Sequence, residues 1–114
     1  MLLNVTVIDE VRETLGDDTY LAFAARMLAE VSETAAKLDA LLAAGDLETL
    51  ARTAHRTSGS CAGVGASGLH ALLKDIENTA RSPQAPTALP ALLAALPGRA
   101  DETRRALDSH FGTA

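Results

Sequence analysis

The fold is decided by "AHRTSGSCAGVGASGLH", residues 54–70, which starts as a helix and then admits glycine at 59, 63, 65 and 68. A glycine inside a helix costs about 1 kcal/mol relative to alanine, so each of these positions needs a reason. Residues 46–64 set on a helical wheel at about 100° per residue place Leu47, Leu50, Ala54 and Cys61 on one side, which defines a buried stripe. His55 lies roughly 100° from the centre of that stripe and is expected to project into solvent from the middle of the helix. Around it stand Glu48, Arg52, Arg56, Gly59, Ala62 and Gly63. Gly59 and Gly63 follow the histidine by one and two turns and strip its surroundings of bulk. Stability alone favours Lys, Glu or Ala there; close approach by another protein explains glycine better. Gly65 and Gly68 fit a turn and the start of the next helix.

Working outward, Val7, Ile8, Val11 and Leu15 recur at helical spacing and predict a short first helix ending at Gly16. A second helix starts from Asp17 or Asp18 as N-cap, with Leu21, Ala24, Met27, Leu28 and Val31 as its stripe and Tyr20 and Phe23 beside it. Ser32-Glu33 is a place for a break or a new cap. Ala35, Leu38, Leu41 and Leu42 continue to Gly45, suited to close a helix. Asp46 is an N-cap for the helix that holds His55. Leu69, Leu72, Leu73 and Ile76 mark another helix to about Arg81, and "SPQAP" is a linker. Leu89, Leu92, Leu93, Leu96, Ala100, Thr103, Leu107 and Phe111 share one phase, with a kink or short break expected at Pro97-Gly98.

These segments predict an all-α fold: an antiparallel four-helix bundle with a short additional N-terminal helix. The expected helices lie near 19–44, 46–64, 66–82 and 87–111, so the bundle core spans about 19–111 of a single domain, 1–114. With only Tyr20, Phe23 and Phe111 aromatic, the core must be built from Leu, Ala, Val and Ile. The initial Met fits a complete chain.

A net charge of −5, with Lys37 and Lys74 the only lysines, argues against nucleic acid as the main partner. The lone Cys61 excludes an intrachain disulfide and suits a reducing compartment. No apolar run approaches the roughly 20 residues of a membrane span, and the first residues are too soon acidic for a signal peptide. A cytoplasmic monomer is the expectation. His55, His70 and His110 lack metal-ligand spacing, so no metal is expected. His70 falls at a helix edge, His110 at a frayed end, Cys61 in the core, and Asp101, Glu102, Arg104 and Arg105 on a solvated face.

"AHRTSGSCAGVGASGL" resembles the signature of histidine-containing phosphotransfer (HPt) domains, in which Ala-His is followed by Lys-Gly-Ser, a run of small residues and Gly-Ala-x-x-Leu. His55, Gly59, Ser60, Gly65, Ala66 and Leu69 match position by position. "LGDD" at 15–18, "LLAAGDLETLARTAH" at 41–55 and "LKDIENTAR" at 73–81 also sit where the family has similar segments. The resemblance implies that His55 accepts a phosphoryl group on an imidazole nitrogen, Nε2 being the more exposed. Its partners would be a response-regulator receiver domain, a hybrid histidine kinase, or both. Arg52, Arg56, Ser58, Gly59, Ala62 and Gly63 would form the phosphoryl- and partner-binding patch.

The receiver would bring its own Mg²⁺, and the chain itself would hold no cofactor. It would be a phosphoryl carrier in a phosphorelay, without the catalytic activity of a kinase. Two departures stand out: the family's lysine three residues after the histidine is Ser58 here, and the preceding leucine is Thr57. The family lysine holds phosphoryl oxygens, a role that Arg52 and Arg56 could take over. Two rivals keep the helices and drop the chemistry. One is a degenerate module that docks a receiver or kinase without accepting phosphate; the other is a generic helical adaptor or dimer joined through the glycine face.

Overall fold

A computed structural model describes residues 1–112 and consists there of five helices and no strand: α1 (Val5–Leu15), α2 (Asp17–Ala44), α3 (Leu47–Gly63), α4 (Ser67–Ala80) and α5 (Ala85–His110). The joints follow from local chemistry. Asn4 caps α1 by accepting from the Val7 amide, and Gly16 ends it at φ 86°. Arg12 and Asp17 bridge this one-residue joint through two hydrogen bonds of 2.8 and 3.1 Å. Gly45, left-handed at φ 74°, closes α2. Its amide donates to the Leu42 carbonyl and that of Asp46 to Leu41, so two orphan carbonyls are satisfied. Asp46 then caps α3 by accepting from the Thr49 amide.

Three boundary expectations are corrected. The N-cap of α2 is Gly16, and Asp17 and Asp18 occupy the first turn, where their charge opposes the positive end of the helix dipole. Ser32-Glu33 neither breaks nor re-caps α2, because the buried Val31, Thr34 and Leu38 carry one seam through it. Nor does Pro97-Gly98 interrupt α5, which runs 26 residues with Pro90 and Pro97 inside it. Burial of Leu93, Leu96, Thr103 and Leu107 on both sides of the proline outweighs its missing amide.

Tyr20, Ala24, Met27, Val31, Thr34 and Leu38 form the buried seam of α2, spaced alternately four and three residues apart. Tyr20 is therefore a core residue, and Leu21, expected on the stripe, is 37 % exposed. The Tyr20 hydroxyl explains the phase: it donates at 2.6 Å to the Val64 carbonyl at the end of α3, which draws the ring inward. Phe111 stacks on the same ring at 5.4 Å. Nor is the end of α5 frayed, since His110 Nε2 lies 3.3 Å from Asp9 and Arg12 sits over the Phe111 ring.

Helix α3 packs against α2 and α4, α5 against α2 and α4, and α1 against α2. Paired residues of α2 and α3 run in opposite order: Tyr20 with Val64, Glu30 with Ser60, Thr34 with Thr57. A 28-residue helix is about 42 Å long, so α2 runs the whole 43 Å extent of the molecule. Among the described residues no helix is long and apolar enough to cross a membrane.

The turn between α3 and α4 is held from the N-terminus. The Asn4 amide donates to the Gly65 carbonyl and the Gly68 amide to the Leu2 carbonyl. Gly65 has φ 77°, and a Cβ there would lie 2.8 Å from Ile8 Cγ1 and 2.9 Å from the Asn4 carbonyl oxygen. The backbone angle and the close approach both require glycine.

Candidate functional site

Helix α3 is positioned by its buried side: Leu50, Ala51, Ala54, Thr57 and Cys61 are all at most 1 % exposed. The opposite side carries Arg52, His55, Arg56, Gly59, Ala62 and Gly63, all exposed. His55 stands out from it with 63 % of its side chain accessible. A Cβ added at Gly59 or Gly63 would meet nothing within 4 Å, so neither glycine is demanded by packing.

Ser58 lies elsewhere. It is 2 % exposed, and its hydroxyl donates at 2.6 Å to the His55 carbonyl, back along the helix. The structure thus separates Ser58 from the open patch to which the family resemblance assigned it. Thr57 is also buried, its hydroxyl 2.7 Å from that of Thr34 across the α2–α3 seam. Ser60 donates to the Glu30 carboxylate. His70 is half-buried at the edge of α4, with Nδ1 3.0 Å from the Ser58 carbonyl. That carbonyl can only accept, so the His70 proton sits on Nδ1.

The centre of the site comes from α4. Glu77 is 5 % exposed, and its Oε1 lies 3.0 Å from His55 Nδ1. Lys74 Nζ donates to the same oxygen at 2.8 Å, and Arg81 donates to Oε2 at 2.8 Å. Arg81 also reaches Glu48 on α3 at 3.5 Å. The hydrogen bond from Lys74, opposed by burial and assisted by His55, holds the Glu77 carboxyl down at about 2. Glu77 is therefore ionised at neutral pH and can only accept. The proton of a neutral His55 must then reside on Nδ1, which leaves the Nε2 lone pair free. Nε2 has no hydrogen-bond partner among the described residues.

Glu77, Lys74 and Arg81 were not singled out by sequence reasoning, which turned on the face of α3. A signal was present: Glu77 shares the buried phase of Leu73, Ile76 and Ala80, with Lys74 three residues before it and Arg81 four after. A carboxylate in a core phase, bracketed by cations at helical spacing, marks a buried charge with partners. Arg52 Nη2 is 3.4 Å from the Thr49 hydroxyl. Cys61 is buried, and burial pushes its thiol up to about 12, so it stays protonated. Among the described residues, no three His, Cys, Asp or Glu side chains gather as metal ligands would.

The chain is thus an all-helical domain in which a solvent-facing imidazole is oriented from behind by a buried carboxylate. A family model for the Hpt domain matches residues 22–107, and the chain belongs to that family. No curated protein and no solved structure gives a significant match to it.

Proposed function

We propose that this chain is a phosphorelay carrier that takes a phosphoryl group onto His55 Nε2 from a receiver aspartate and passes it on to another. The observation that carries this reading is the hydrogen bond that His55 Nδ1 donates to the buried, ionised Glu77, which leaves the exposed Nε2 as the nucleophile. The helices supply the platform, an antiparallel four-helix bundle of α2 to α5 with α1 added. The opposite order of paired residues on α2 and α3 supports that arrangement.

In the transfer, the Nε2 lone pair attacks phosphorus while the bond from phosphorus to the aspartyl oxygen breaks. The carboxylate leaves with the electron pair. The Nδ1 proton stays in place, and the imidazolium that forms is met by the Glu77 charge. Phosphoryl transfer is mostly positioning and charge stabilisation, so the carrier needs little beyond an oriented nucleophile and an open approach. The bare surface at Gly59 and Gly63 provides that approach to a receiver's acidic, Mg²⁺-bearing pocket.

The test is incubation with a panel of phosphorylated receiver domains. Acid-labile label on this chain, absent from His55→Gln, supports the carrier. Stable binding of receivers with no label in any pairing would replace it with a docking module.

A further inference from the structure

In the family the phosphoryl cation sits one turn after the histidine, but Ser58 is uncharged, buried and bonded to the backbone. Besides Arg52 and Arg56 on the exposed face of α3, positive charge reaches His55 from the neighbouring helix. Lys74 Nζ and His55 Nδ1 share one carboxylate oxygen, Glu77 Oε1, at 2.8 and 3.0 Å. The two nitrogens therefore cannot be further apart than these two bonds laid end to end. Lys74 is 36 % exposed, its stem is flexible, and an ammonium has three donors, of which Glu77 takes one. Arg81 is tied differently, to Oε2 and to Glu48. Arg81 is thus shared between two carboxylates, whereas Lys74 is paired with Glu77, which sets its ammonium beside the imidazole. A phosphoryl group would bring about two negative charges to it.

We infer that Lys74 is the phosphoryl-binding cation of this chain, reaching from α4 to pair with the phosphoryl oxygens on His55 in the role that Ser58 cannot fill. The assignment rests on the proposed transfer to His55 and adds the residue that stabilises its product. On phosphorylation the Lys74 ammonium keeps Glu77 as one neighbour and gains phosphoryl oxygens as another.

The test needs no partner protein, because phosphoramidate phosphorylates imidazole directly. Nε2 attacks its phosphorus, the phosphorus–nitrogen bond of the reagent breaks, and nitrogen leaves with the electron pair as ammonia. The wild-type chain should be labelled and His55→Gln should not. Lys74→Met should slow labelling about tenfold, and Lys74→Arg should restore most of the rate. The chain has only two lysines, so the side-chain ammonium NMR signals of ¹⁵N-labelled wild-type protein are readily told apart. On phosphorylation the Lys74 signal should shift, with Lys37 on α2 as reference.

An unchanged labelling rate in Lys74→Met with an unmoved Lys74 signal overturns the assignment. A slowed rate with an unmoved signal also overturns it, since Lys74 would then act only by holding Glu77. Should Lys74→Met fail to fold, the signal in the wild-type chain decides. Absence of label on wild-type His55 would remove the proposed function itself, a failure visible before any Lys74 variant is made.

Discussion

Glu77 is a buried acid with three donors, and its contribution to folding has a definite pH window. Its ordinary value is 4.5 and the folded chain holds it at about 2, so the charged form is favoured in the folded state. Stability from this group is present above pH 4.5 and is lost as pH falls from 4.5 toward 2. Melting curves of wild type and Glu77→Gln recorded against pH should therefore draw together over that interval. Thr34 and Thr57 offer a second residue-scale test. Replacing either by valine leaves a buried hydroxyl without its partner and should cost about 1–3 kcal/mol in chemical denaturation. The double valine variant should recover much of that loss, because no hydroxyl is then stranded. At this scale the sequence was legible on one helix only. His55 and its open face could be placed because they share the wheel of α3, whereas Glu77 meets His55 across 22 residues of chain. No periodicity within α3 contains that contact. Ser58 was misplaced because the resemblance carried it into the patch at the position of the family's lysine, whereas its phase, about 60° from His55 on the side of the buried stripe, turns it inward.

At the scale of the helix, Gly59 is the informative position. A methyl group there meets nothing within 4 Å, so Gly59→Ala should stabilise the isolated chain by about 0.5–1 kcal/mol in thermal or chemical unfolding. The proposed docking face predicts a cost elsewhere: a bulkier Gly59→Leu should weaken receiver binding while leaving phosphoramidate labelling of His55 intact. An equally bare Gly98 in α5 supplies the control, since Gly98→Ala should stabilise the chain without changing receiver binding. Helix number and most ends were readable because caps such as Asp46 and Gly45 are local chemistry. The continuity of α5 was not readable. Pro97 is a local breaker, and what overrides it is a buried row of side chains on both sides, which exists only once the helices pack.

Across the whole molecule, the N-terminal residues and the turn that follows α3 act as one unit. Gly65 is the point of contact, and Gly65→Ala combines a left-handed backbone with encroachment on Ile8 and the Asn4 carbonyl. The expected loss is about 3 kcal/mol, read from chemical denaturation, far more than at the open glycines. Such a variant tests how far the platform under His55 depends on a segment more than fifty residues away in sequence.

Tyr20 gives the molecule a gauge of its own integrity. It is the only tyrosine in a chain without tryptophan, so near-ultraviolet absorption and emission come essentially from this one ring. The ring touches Phe111 beyond α5 and the Val64 carbonyl beyond α3, and it belongs to α2. Burial pushes its phenol from 10 up to about 12. The folded state favours the neutral phenol, so this contribution to stability is full below pH 10 and is lost as pH rises toward 12. Tyrosinate colour should accordingly appear in step with unfolding. A single optical titration, with no label and no partner, would report whether three helix ends are still joined.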